Sequence, residues 1–125
     1  MKSHSLPDVP EIDPPTAWNA VRNDGAVILD VREPEELDEV AIPDATHIPL
    51  GQLSAEADEL PRDRDLFVIC RSGVRSAYAT QFLVQSGFER ARNIAGGVID
   101  WAQSGLPVVI DGETVCVEVP DGPAG

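Results

Sequence analysis

Residues 66–83 read "LFVICRSGVRSAYATQFL". From Leu66 to Cys70 the run is apolar, unbroken and too short for a helix, which predicts a strand buried on both faces. Beyond it the period changes. Ala79, Phe82, Leu83 and Ser86 recur at helical spacing and Gly87 supplies a stop, so a helix is expected over 74–86. The junction holds a cysteine, a glycine and two arginines. A strand turning directly into a helix is the building unit of parallel α/β sheets, whose ligands sit at the carboxyl ends of the strands. Cys70 is expected at such an end.

Working outward, the same alternation repeats. "AVILDV" (26–31) is a second continuous apolar run and "ARNIA" (91–95) a third strand. Asp13 followed by Pro14 and Pro15 is a helix start, with its stop near Gly25 and a stripe of Trp18 and Val21. "EPEELDEV" (33–40) and "LSAEADEL" (53–60) read as short helices. Glu33, Glu35 and Glu36 suit the first turn of the former, where the helix dipole favours negative charge, and they are not read as a metal site. "AIPDATHIPL" is a loop with an extended piece at 46–48. Gly96-Gly97 turns the chain into "VIDWAQS", whose Val98 and Trp101 face the core. Asp111-Gly112 between two β-branched runs signals a hairpin. The expected organisation is a loose leader over 1–10, one α/β domain over 11–107, and a C-terminal extension over 108–125 made of that hairpin and a frayed tail. The sheet is expected to be central and parallel, with helices on both faces.

The 125 residues fit one domain, and 42% hydrophobic with 25% charged residues is ordinary for a globular core. A net charge of −13 argues against nucleic acid and anionic lipid as partners, since both would be repelled. Two cysteines are too few for a disulfide scaffold, and neither His4 nor His47 has metal-like spacing to either. The first residues, "MKSHSLPDVPEIDPP", lack the apolar run of a signal peptide, and no segment has the length to cross a membrane. A reducing cytoplasm is the expected setting. Cys116, in the alternation "TVCVEV", reads as a packing residue.

The loop "CRSGVR" explains the arginines. The first N–H groups of a helix have no partner inside it, and Gly73 lets the turn bring several of them to one point. Arg71 and Arg75 add charge, Ser72 a hydroxyl, and Val74 completes the ring. A thiol so surrounded ionises readily, becomes a nucleophile, and has its anionic products held by the same donors. Four residues separate Cys70 from Arg75. Cysteine phosphatases place five there, so this tighter ring suits a single sulfur atom better than a phosphoryl group.

"LDVREPEE", "IPDATHIPL", "VICRSGVRSA" and "NIAGGVIDW" occur in the order of, and together resemble, the motifs of the rhodanese-like single-domain sulfurtransferases. The resemblance covers roughly residues 12 to 107. It implies a rhodanese-like α/β fold and a Cys70 persulfide. The sulfur would come from a small anionic donor such as thiosulfate and pass to cyanide, a thiol or a protein cysteine. No metal or organic cofactor is implied. Asp30 and Arg32 match the family's "DVR" and are expected to hydrogen-bond beneath the loop. Gly96 and Gly97 are expected to let a neighbouring turn approach it. Asp44 stands where the family often has glycine, which puts the shape of that turn in question. The alternatives are a relay module that carries sulfur for a partner protein without turnover and, less favoured, a cysteine phosphatase or arsenate reductase.

Overall fold

The computed structural model describes residues 7–116. Part of the expected leader and the frayed tail lie outside the described residues.

Two continuous apolar runs form the middle of the sheet. β2 (Val27–Asp30) and β4 (Leu66–Ile69) pair in parallel, with Leu29 opposite Val68 and Asp30 opposite Ile69. β5 (Ala91–Ile94) adds to the other side of β4, and β3 (Thr46–His47) to the outer side of β2. The sheet is completed by β1 (Glu11–Ile12), a two-residue strand that the sequence did not announce, parallel to β5. All five strands run parallel, in the order β1-β5-β4-β2-β3.

Alternation along the central strands feeds two cores. Leu29, Val31, Leu66, Val68 and Cys70 share one core with Leu53, Ala79 and Leu83. These last three lie on α3 (Leu53–Glu56) and α4 (Val74–Gln85). Ile28, Phe67 and Ile69 share the other with Ala17, Val98 and Trp101, from α1 (Pro14–Asp24) and α5 (Gly97–Gln103). The two tryptophans of this face, Trp18 and Trp101, meet edge-on with ring centroids 5.7 Å apart. Helices therefore cover both faces, as a parallel sheet requires.

Local chemistry sets the boundaries. Asp13 caps α1 by accepting from the Thr16 N–H, and Gly25 ends the helix in the left-handed region. α2 (Pro34–Glu39) starts in a capping box between Glu33 and Glu36. The helix expected over 53–60 is shorter: α3 tightens after Glu56 into a 3₁₀ turn, Ala57–Glu59, before Pro61. On α4 the buried stripe is Ser76, Ala77, Ala79, Thr80 and Leu83, whereas Ser86 is exposed. Asp44 adopts φ 61°, the left-handed conformation a glycine would take there, which a short polar side chain tolerates.

The hairpin forms as expected. β6 (Pro107–Ile110) and β7 (Glu113–Cys116) pair across Asp111 and Gly112, both at positive φ. It is fastened to the domain by Val108 in the core, by paired backbone bonds between Ala41 and Val109, and by Trp101 Nε1 donating to the Pro107 carbonyl at 2.8 Å. Cys116 was expected to pack, but it is exposed: β7 shows all four residues to solvent. Its alternation reflects strand pairing with β6, not a buried face. No helix among the described residues is long and apolar enough to cross a membrane.

Candidate active site

Cys70 follows the last residue of β4, and its side chain is only 1% exposed. Three residues later Gly73, at φ 101°, caps α4 and swings its own N–H back onto the sulfur at 3.2 Å. Ser76, in the first turn of α4, donates its N–H and its hydroxyl, each at 3.3 Å from Sγ. Loop amides can only face the sulfur if their carbonyls face away, and α5 holds them there. The Val98 N–H donates to the Cys70 carbonyl at 2.9 Å and the Ile99 N–H to the Arg71 carbonyl at 3.1 Å. The contact is so close that a Cβ on Gly97 would overlap both carbonyls. Gly96 and Gly97 thus do bring a neighbouring turn against the loop.

Two opposing effects act on the thiol. Burial alone pushes its pKa up. The Ser76 hydroxyl and the N–H groups of Ser76, Gly73 and Ser72 all favour the thiolate, and together they prevail, leaving the pKa below the ordinary cysteine value. Ser72 contributes through its backbone; the hydroxyl at the sulfur belongs to Ser76. Arg71, Ser72 and Val74 are exposed and make the outer surface of the loop.

Ser76 was not among the residues singled out in the sequence. Its signal was there: it begins the stripe 76, 79, 80, 83 on the buried face of α4. Its hydroxyl also donates to Asn93 Oδ1 at 2.6 Å, and Asn93 Nδ2 donates to the Gly73 carbonyl at 3.2 Å. That second bond fixes which way the amide faces. Because one hydroxyl carries one proton, Asn93 and the sulfur compete for it. With a neutral thiol, S–H donates to Oγ and O–H to Asn93; with a thiolate, the hydroxyl proton is the side-chain donor in reach. Ser76→Ala is expected to raise the Cys70 pKa, read from thiolate absorbance against pH, and to slow reaction at neutral pH about 2- to 10-fold, the worth of one hydrogen bond. An unmoved titration curve would assign the whole effect to backbone N–H groups.

Arg75 donates no hydrogen bond to the sulfur among the described residues. Its guanidinium makes a two-pronged pair with Glu36, Nη1 to Oε2 at 2.7 Å and Nη2 to Oε1 at 2.9 Å. Glu36 was read only as a helix-start acid; it also ties α2 to the start of α4. The Arg75 hydrogen bond holds the Glu36 carboxyl at about 2 against an ordinary 4.5, and the same bond raises the pKa of Arg75. A carboxyl depressed in the folded state contributes its stability above its unfolded value and loses it as pH falls. The difference in urea midpoint between the parent chain and Glu36→Gln is therefore expected to be full above pH 4.5 and to close toward about pH 2. A difference that does not change across that window would mean the pair contributes nothing through its charge.

Asp30 and Arg32 form a buried ion pair at the end of β2, Nη2 to Oδ2 at 2.8 Å. Arg32 also donates through Nη2 to the Val40 carbonyl, and its own carbonyl accepts from His47 Nε2 at 2.7 Å. These bonds tie the end of β2 to the end of α2 and to β3.

The match to known proteins follows this geometry. Residues 13–104 fit the rhodanese-like domain model. A sulfurtransferase of Allochromatium vinosum is 42% identical over 83 residues, covering 66% of this chain and 78% of that one. A thiosulfate sulfurtransferase GlpE of Actinobacillus pleuropneumoniae serotype 3 is 36% identical over 98 residues, covering 78% and 91%. Among solved structures, a rhodanese-related protein of Thermoplasma volcanium superposes with TM-score 0.75 at 34% identity, covering 82% of this chain and 99% of that one.

Proposed function

The chain belongs to the rhodanese-like domain family, and from that premise we propose that it is a sulfurtransferase working through a persulfide on Cys70, with thiosulfate or a related sulfane compound as donor. The Cys70 thiolate attacks the outer sulfur of thiosulfate. A new S–S bond forms, the S–S bond of the donor breaks, and sulfite leaves with the bonding pair. A thiol or cyanide then attacks the outer sulfur, and Cys70 departs as a thiolate. No electrons are gained or lost by the protein over the cycle.

The observation that carries this reading is the set of donors on one sulfur: the Gly73 and Ser76 N–H groups and the Ser76 hydroxyl, all within 3.3 Å of Sγ. Donors already in place stabilise both the attacking thiolate and the leaving thiolate without reorganisation. The ring is small, with four residues between Cys70 and Arg75, which supports a one-atom cargo over a phosphoryl group. Arg71, exposed and outside every ion pair found among the described residues, suits the approach of an anionic donor. The test is intact mass of the reduced protein after thiosulfate, with sulfite measured in the same tube. A gain of one sulfur atom matched by one sulfite supports the reading. Neither appearing would overturn it for thiosulfate.

A further inference from the structure

A pocket of about 400 Å³ opens beside the Cys70 loop, between α2 and α5. Its charged lining is two arginines, Arg32 and Arg71, and two glutamates, Glu36 and Glu39. Val98 and Ile99, whose N–H groups clamp the loop, form part of its apolar wall. The pocket thus abuts the loop directly, with Arg71 common to both.

Two of the four charges are committed inside the protein. Arg32 is held by Asp30 and the Val40 carbonyl, and Glu36 by Arg75. The other two are not. Arg71 and Glu39 enter none of the ion pairs found among the described residues, with each other or with any neighbour, yet both line this one cavity. A cavity of this volume is of the size that holds organic ligands, well beyond the needs of a single oxyanion. A small dianionic donor drawn in by Arg71 leaves Glu39 unanswered. A molecule with one carboxylate and one ammonium answers both free charges.

Resting on sulfur transfer at Cys70, we propose that this pocket selects small thiols of the amino-acid type as sulfur acceptors, their carboxylate on Arg71 and their ammonium on Glu39. The acceptor thiolate attacks the outer sulfur of the Cys70 persulfide. The acceptor leaves as a persulfide carrying that sulfur, and Cys70 is released as a thiolate, so atoms and charge balance. Glu39 is then a specificity residue, distinct from the groups that activate the sulfur.

Thiols differ in intrinsic reactivity, so the measurement is a ratio that cancels it. Protein loaded with one sulfur is mixed with cysteine, cysteamine or mercaptopropionate, and discharge is timed by mass for the parent chain, Glu39→Gln and Arg71→Gln. Glu39→Gln is expected to slow cysteine and cysteamine about 2- to 5-fold, the worth of an exposed ion pair, and not to slow mercaptopropionate. Arg71→Gln is expected to slow cysteine and mercaptopropionate and to spare cysteamine. Ratios that are the same for all three thiols would overturn this assignment and leave the proposed function standing. Protein that gains no sulfur from either thiosulfate or cysteine persulfide would overturn both.

Discussion

Cys70→Ser is expected to gain no sulfur from thiosulfate, and its transfer to any acceptor is expected to fall to the uncatalysed background. Serine fills nearly the same volume, and the Gly73 and Ser76 N–H groups remain to meet its oxygen. The fold should therefore survive, with thermal unfolding within a few degrees of the parent, so loss of function is not loss of structure. What disappears is the nucleophile. A buried serine hydroxyl has no base beside it among the groups described here, and the donors that favour a thiolate cannot make an alkoxide at neutral pH. The exposed thiol of Cys116 supplies an internal control. If Cys70→Ser still takes up a sulfur, peptide mapping will find it on Cys116, and the Cys70 mechanism fails. If Cys116→Ser loads as the parent does, the sulfur rests on Cys70.

Gly97→Ala is expected to be the most damaging single-methyl change near the site. Gly97 has φ 60°, which costs an L-residue about 1–2 kcal/mol. Its new Cβ would also overlap the Cys70 carbonyl and lie 2.5 Å from the Arg71 carbonyl oxygen. Both atoms are backbone and cannot rotate away. Relief requires α5 to withdraw, which breaks the Val98 and Ile99 bonds to the loop, each worth about 0.5–1.5 kcal/mol. The sum is about 3 kcal/mol, a large part of the ~5–15 kcal/mol that holds a domain of this size. Gly105→Ala isolates the cause. It has a similar φ of 77° but meets nothing within 4 Å, so it carries the conformational cost alone. Denaturant midpoints that fall equally in the two variants would refute the overlap. A larger fall for Gly97→Ala, with slower sulfur loading in the molecules still folded, would support the clamp.

The legible and illegible parts of the chain divide on a physical line. β2 and β4 could be read because a strand buried on both faces has no polar residues to interrupt it, and the alternation of Phe67 and Val68 between two cores shows why. Asp13, Gly25 and Asp111-Gly112 could be read because caps and turns are local chemistry. β1 could not: two residues carry no period, and their partner β5 lies some eighty positions on. Glu36 was explained sufficiently by its own helix, which hid its pairing with Arg75, 39 residues away. Ser76 lay in the first turn of α4, where a serine is unremarked until Asn93 and the sulfur are seen on either side of it. Cys116 misled because alternation reports strand geometry whether or not a core lies beneath.

The donors that touch the sulfur are mostly peptide N–H groups, which every residue but proline possesses. The side chains of Arg71, Ser72 and Val74, by contrast, stand on the outside of the loop. On the sulfur transfer proposed above, reactivity and selectivity would therefore be written in separate alphabets over the same few residues. On that reading, mutation at these three positions would revise who delivers or receives the cargo without rewriting the chemistry at Cys70, provided Gly73, Ser76 and the α5 clamp persist. A descendant of this chain could change its clientele in a handful of steps and keep its trade throughout.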